Sequence, residues 1–411
     1  MIGRKRFPRS RETRPGGVFR RNRTAIGLVR LGARVKSPSL SFGRRAGWSA
    51  IGTVNLSPPS LSFRALSETG NFMHVFELTR HLIDIPSVTP EEEEVGEFLY
   101  AHLSQICARF DGRAERSEVE PHRYNVYASF GDPVVTLSTH MDTVPPFIPS
   151  REDEDFIWGR GACDTKGIIA SMITAAERLL EDGVRNFALL FVVGEERNSA
   201  GAYYAAANPR GSKYIVNGEP TENQLALGSK GALRYELVAH GKMAHSAYPE
   251  LGDSAIEKLL EALNAVRKVE LPVDEILGPS TLNIGTIHGG RAPNVIPDEA
   301  RAEIFIRLVG DSQATRAALQ HAVTSAVGNS VELNFVLEIP ALRLTAVAGL
   351  PTTVVAYTTD IPAFGDKWGQ PLLFGPGTIH VAHTLDERVP KKQLLEAVEI
   401  YQNLVRQLQA Q

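Results

Sequence analysis

Five histidine or carboxylate side chains in this 411-residue sequence stand just past the ends of short apolar runs, and further candidates sit on glycine-rich turns. VVTLST leads into His140-Met141-Asp142, FALLFVV into Gly194-Glu195-Glu196, and KYIVN into Gly218-Glu219-Pro220. The turn GRGACDTKG carries Asp164, and GPGTIHVAHTLDE carries His380 and His383. Imidazole and carboxylate are hard or borderline donors, the types that hold zinc, cobalt or manganese. Delivered from distant stretches of chain to one crevice, they spell a metal site.

Each piece alone has a plainer reading. His140 and Asp142 are two apart, so on an extended strand they share a face. They could form a simple hydrogen-bonded pair, or a metal-binding histidine with the carboxylate that steadies it. Glu195 and Glu196 repel one another unless a cation is shared, and adjacent side chains point in different directions. One can therefore ligate while the other stays free as a base; solvated loop charges are the alternative, which the buried flank FALLFVVG disfavours. Asp164 lies among glycines that permit close backbone approach. Its two oxygens can bridge two metals, and a helix cap is the competing role for it or for Thr165. Glu219 could be only a turn residue before Pro220. Cys163 stands without a second cysteine nearby and reads as packing, while His380 and His383 are both candidates.

Elements of the right kind surround these residues. Short β-branched runs alternating with amphipathic stretches indicate βαβ units and a mostly parallel sheet, in which ligands gather beyond the strand carboxyl ends. A helix follows Met73. Thr89-Pro90 with Glu92 reads as an N-cap, a first-turn proline and a capping-box acid, opening a second helix through about Phe110. After about Gly228 the order becomes βαββαβ, that of a ferredoxin-like unit. After about Pro340 the α/β character resumes and ends in a helix over KKQLLEAVEIYQNLVRQLQ. The expected architecture is an α/β catalytic domain, residues 73–228 and 340–411, with a smaller domain, 229–339, inserted into it.

Composition sets the remaining bounds. Hydrophobic residues make up 43% and charged residues 22%, ordinary for a globular protein. No apolar stretch approaches the ~18 residues of a membrane span, so no membrane partner is expected. Two cysteines, Cys107 and Cys163, cannot build a disulfide framework, which fits a reducing, cytoplasmic setting. The net charge of −3 conceals an asymmetry: residues 1–72 hold 15 basic side chains against Glu12 and Glu68. That segment lacks periodicity and is expected to be disordered. A transit peptide and a nucleic-acid-binding arm both fit its composition. The favoured expectation is an upstream start-site artefact with Met73 as the true beginning, and hence no nucleic-acid partner.

Together HMDTVP, GRGACDTKG, GEE, NGEPT, GKMAHSAYP, GGRAPNVIPDEARAEIFIR and GPGTIHVAHTLDE resemble the acetylornithine deacetylase / succinyl-diaminopimelate desuccinylase family of dinuclear zinc hydrolases, which also includes aminoacylases, carboxypeptidases and dipeptidases. The resemblance covers residues 73–411 in the family's order. It implies a zinc-peptidase-like catalytic domain and an inserted dimerisation or lid domain. It implies two zinc ions, with cobalt or manganese as substitutes: His140 and Glu219 on one, Glu196 and His383 on the other, and Asp164 between them. Glu195 would be the general base and Asp142 would orient His140. His245 would reach a partner subunit's site and steady the oxyanion, so the enzyme would be a homodimer through the lid. Asn294 and Arg307 would grip a substrate carboxylate, and the loop containing Gly377 would line the pocket. His380 falls outside the ligand register. One departure is EERNSAGA after the glutamate pair, where the family usually has a glycine-containing turn. The implied activity is removal of the acyl group from an N-acyl-amino acid in amino-acid biosynthesis. The alternatives are a carboxypeptidase or dipeptidase of the same family, or a non-catalytic metal- or peptide-binding relative; a missing ligand or base would mark the last, and none is missing.

Overall fold

The structure, a computed structural model, describes residues 72–411. The basic leader expected over residues 1–72 lies, apart from Phe72, outside the described residues. Helices α1 (Val75–Asp84) and α2 (Glu93–Phe110) come first, followed by strands β1 (Arg113–Glu120), β2 (Arg123–Phe130) and β3 (Val135–His140). Then follow α3 (Lys166–Glu181), β4 (Phe187–Val192), α4 (Ala200–Ala207) and β5 (Tyr214–Asn217).

Next in the chain is the βαββαβ series. It consists of β6 (Gly231–His240), α5 (Ala255–Val266), β7 (Thr281–Gly289), β8 (Glu299–Leu308), α6 (Ser312–Val327) and β9 (Val331–Ile339). The short helix α7 (Ile361–Phe364), strand β10 (Gln370–Leu373) and helix α8 (Lys391–Gln409) complete the chain.

The principal sheet runs β1-β2-β4-β3-β5-β10. Its four strands β4, β3, β5 and β10 are parallel, and the β1-β2 hairpin extends it antiparallel. Side-chain alternation sorts β4 between two layers. Phe187, Leu189 and Phe191 join the core beneath α1, α2, α3 and α8. Ala188, Leu190 and Val192 meet α4, α7 and Trp368 on the other side. A parallel sheet covered on both faces is why these strands read as continuous apolar runs.

Strand register decides what gathers at the carboxyl ends. His140 of β3 pairs with Val192 of β4, and Ser138 of β3 with Asn217 of β5. The turn Gly194–Glu196 and the turn Gly218–Glu219 therefore emerge on either side of His140. A slip of one residue would turn each of these side chains to the opposite face.

The second sheet is antiparallel in the order β7-β8-β6-β9. That is the strand order of a ferredoxin-like βαββαβ unit. On β8, Ala300, Ala302, Ile304, Ile306 and Leu308 alternate inward onto α5 and α6 and share a separate core with Leu233, Leu237, Leu259 and Leu319. The intervening residues, Arg307 among them, face the other way.

One local expectation is corrected. Thr89 does not cap α2, whose cap position is Glu92 with no side-chain cap bond. The Thr89–Pro90 peptide is cis, and the Thr89 hydroxyl donates instead to Asp142 Oδ2 at 2.6 Å. A capping box requires the Ser/Thr oxygen at the helix's own N–H groups; here a buried carboxylate 53 residues away has claimed it.

Candidate metal centre

His140 ends β3 and is 1% exposed. Its Nε2 lies 3.1 Å from Asp164 Oδ1. Across the crevice His383 Nε2 lies 3.2 Å from the other Asp164 oxygen, Oδ2, and 3.1 Å from Glu196 Oε1. Asp164 thus presents one oxygen to each of two histidines that are 243 residues apart in sequence. Ligand atoms of His140, Asp164 and Glu196 all fall within 4.8 Å of one another.

Glu219 stands beside them, 4% exposed, with Oε1 buried and without a hydrogen-bond partner. The backbone beneath it is fixed by Gly218 N–H donating to Ser138 O and by the Thr139 hydroxyl donating to Gly218 O.

Asp142 lies beside His140, as its spacing indicated, and also holds a second element. It is fully buried, and its carboxylate accepts from the backbone N–H groups of Gly194 (3.0 Å), Glu195 (3.1 Å) and Glu196 (3.2 Å) as well as from Thr89. His140 Nδ1 meets the Asp142 main-chain oxygen at 3.0 Å, closer than the carboxylate at 3.5 Å. The carboxylate therefore holds the turn that carries Glu195 and Glu196 while also facing the imidazole, which the backbone of the same residue meets more closely.

The electrostatics are those of many acids sharing too little water. Burial pushes the Glu195 carboxyl well above the usual carboxylate range, and Glu219 reinforces it. Burial raises Glu219 as well, with Asp164 adding to it against the opposing pull of His140. At Asp164 burial acts in the same upward direction but loses to the two imidazoles, which hold the carboxyl below its ordinary value. His383 is pushed up to about 10 by its bonds to Asp164 and Glu196. Buried anions of this density are relieved by cations. The donor set of two imidazoles and three carboxylates, the split Asp164 oxygens and the orphaned Glu219 oxygen all fit divalent metals of the zinc type.

Among the described residues, the other expected residues make no hydrogen bond to these five. His245 is exposed, on a short ladder pairing Ala244–His245 with Val295–Ile296. Its Nδ1 accepts from Ala247 N–H at 3.1 Å, and Ser246 N–H donates to Asn294 O at 3.0 Å. His245 and Asn294 are therefore neighbours at this ladder, and no hydrogen bond among the described residues joins either to the five acids and histidines. Arg307 is half-buried, its guanidinium 4.8 Å from the Phe305 ring centroid and its Nη1 without a partner. Gly377, at φ +90°, packs so tightly that a Cβ there would stand 2.5 Å from Cys163 Cβ. Its N–H donates to Gln393 Oε1 at 2.7 Å. His380 is exposed and outside the cluster.

Two participants carried no spacing signal. Asp360 is 1% exposed with Oδ1 unpartnered; burial raises its carboxyl to about 7, against the pull of Ser199 and His140. The Tyr357 hydroxyl donates to Pro220 O at 2.9 Å, beside Glu219. Both belong to the segment before α7, whose only sequence mark was an acid at a helix start.

Residues 136–407 match Peptidase family M20/M25/M40. A peptidase M20 domain-containing protein of Schizosaccharomyces pombe is 37% identical over 354 residues, covering 84% of this chain and 87% of its own. A probable carboxypeptidase of Aspergillus niger is 35% identical over 400 residues, covering 87% and 96%. Among solved structures, aminopeptidase PepT of Bacillus cereus superposes with a TM-score of 0.67 at 19% identity, covering 81% of this chain and 98% of that one; at that identity the likeness concerns the fold.

Proposed function

The chain belongs to peptidase family M20/M25/M40, and from that premise we propose that it is a two-metal hydrolase of amide bonds whose amine product is an amino acid with a free carboxylate. The observation that carries this reading is Asp164, with one carboxylate oxygen at His140 and the other at His383. His140 and Glu219 would hold one metal and Glu196 and His383 the other, with Asp164 shared. Two zinc ions, or cobalt or manganese in their place, would supply Lewis acidity toward water and toward the amide carbonyl.

Glu195 is the general base. It shares the Asp142-held turn with the ligand Glu196 but projects differently, and burial gives it a high proton affinity. A carboxylate of this kind takes the proton from water and returns it to the leaving amine. The Arg307 guanidinium, a planar fork with an unpartnered Nη1, receives the substrate carboxylate together with Asn294. His245 steadies the charge developing on the amide oxygen, supplied from the Ala244–His245 ladder of a partner subunit in a homodimer. Gly377 keeps the pocket wall close to the Asp164 loop because no side chain fits there.

An N-acyl-amino acid and the C-terminal residue of a peptide present the same carboxylate and the same scissile amide. The motifs resemble the deacylase branch, and we take an N-acyl-amino acid as the substrate. The Aspergillus niger relative named a probable carboxypeptidase supports the second reading, a carboxypeptidase or dipeptidase. Hydrolysis of a panel of N-acetyl- and N-succinyl-amino acids against dipeptides, with and without chelator, separates the two. Activity is expected on the acylated set and lost on chelation. Zinc binding without turnover of any panel member would leave only a non-catalytic binder.

A further inference from the structure

Arg160 and Glu387 are 2% and 1% exposed and meet across 227 residues of sequence. The Arg160 Nη1 donates to Glu387 Oε2. The other oxygen, Oε1, accepts from Gly161 N–H at 2.8 Å and from Asp164 N–H at 3.3 Å, and the Cys163 thiol lies 3.8 Å from it. Main chain joins main chain as well, since Gly159 N–H donates to Glu387 O at 3.0 Å. One carboxylate therefore collects the N–H groups of the turn from which Asp164 projects. It does so four residues after His383, inside the stretch that delivers the second histidine. Arg160 is tied in turn to the neighbouring loop, through Nε to Pro146 O at 3.3 Å and its own N–H to Ile148 O at 3.0 Å.

No hydrogen bond joins Glu387 to His140, Glu196, Glu219 or His383 among the described residues, so its effect must pass through backbone. The distance between the Asp164 oxygens and His383 Nε2 depends on how the 159–164 turn and the 383–387 segment sit on one another. A hydrogen-bonded, buried carboxylate at their junction sets that relation; chain connectivity between them does not, with more than 200 residues intervening. Groups that hold a metal ligand's own support commonly change affinity 10–100-fold when removed.

We propose that Glu387 is the positioning residue of the metal bridge: through the Gly161 and Asp164 N–H groups it registers the Asp164 turn on the His383 segment. This rests on the reading of Asp164 as the shared ligand.

The test is titration of metal-free protein with zinc alone, for the wild type and for Asp164→Asn, Glu387→Leu and Glu387→Gln. Leucine fills the space without accepting an N–H, whereas glutamine keeps an acceptor oxygen. Glu387→Leu is expected to bind zinc at least tenfold more weakly and Glu387→Gln to recover most of that loss. At saturating zinc the Gln variant should show kcat and KM close to wild type. If Glu387→Leu fails to fold, Glu387→Asp, whose acceptor is drawn back by one methylene, is expected to show the same weakening. Wild-type zinc affinity in the Leu or Asp variant, or a Gln variant no better than Leu, overturns the proposal. Failure of the underlying reading would appear separately, as a wild type that binds no zinc or an Asp164→Asn protein that binds it undiminished.

Discussion

Replacing Asp142 by alanine strips the acceptor from three main-chain N–H groups and one hydroxyl at once. The donors are Gly194, Glu195, Glu196 and Thr89, at 2.6–3.2 Å from a carboxylate with no solvent exposure. Each orphaned buried group costs about 1–3 kcal/mol. The three N–H groups share one turn, which relaxes as a unit, so the costs do not simply sum. A net loss of about 3–5 kcal/mol is expected, the range found when one partner of a buried charged network is removed. For a protein of this size that lowers the urea midpoint of the metal-free form by about 1–2 M.

Thr89→Val, which removes a single donor, should cost about 1 kcal/mol. In the Asp142→Ala background it should cost nothing more, because the pair has already been broken. The functional consequence follows from the same geometry. Glu195 and Glu196 ride on the released turn, and a displacement of about 1 Å at a catalytic group costs ~100-fold in rate. The loss should appear in kcat at saturating zinc and substrate. Equilibrium unfolding and steady-state kinetics on the two single variants and the double variant provide the assay. An Asp142→Ala protein with a midpoint within about 0.3 M of wild type and an unchanged kcat would refute the role assigned to this carboxylate.

Glu195→Gln should retain the zinc content of the wild type while kcat falls about 10²–10⁴-fold; metal analysis beside kinetics checks it, and retained turnover would remove Glu195 as base. Gly377→Ala would place a methyl 2.5 Å from Cys163 Cβ at φ +90°, so a loss of about 1–3 kcal/mol is expected in thermal or urea unfolding. Burial raises the Glu177 carboxyl, partly offset by His102 at 3.8 Å. The fold therefore favours its protonated form, a contribution present below the ordinary glutamate value and lost as pH climbs through the raised one. Glu177→Gln is accordingly expected to be more stable than wild type near neutrality, with the difference shrinking toward pH ~4; parallel unfolding curves across that range would contradict it.

Much of the site was legible in the residues because two local rules suffice to expose it. An apolar run too short for a helix and rich in β-branched residues becomes a buried strand, and a polar residue just beyond its end has nowhere to go but the crevice. His140, Glu195, Glu196 and Glu219 were all found that way, and the βαββαβ order of the second sheet followed from alternating periodicities. Where spacing was read as a helix cap it misled. Thr89 had the pattern of a helix cap and became a donor to Asp142. Asp142, two residues from His140, does face that imidazole at 3.5 Å, but its hold on the 194–196 turn was not visible in the spacing.

Asp360 and Tyr357 left no mark that spacing could detect, and Glu387 ended the GPGTIHVAHTLDE motif with no sign of its partners. Each acts on residues more than a hundred positions away, and sequence separation says nothing about distance once strands are laid side by side. By itself, then, the sequence determined which residue types stand at strand ends and what chemistry they can perform. The tertiary structure alone decided which of them meet, because the β3–β4 and β3–β5 registers and the buried Arg160–Glu387 pair place atoms that chain connectivity leaves independent. Asp164 is the clearest case. Its residue type permits a bridge, but only the fold sets one oxygen at His140 and the other at His383.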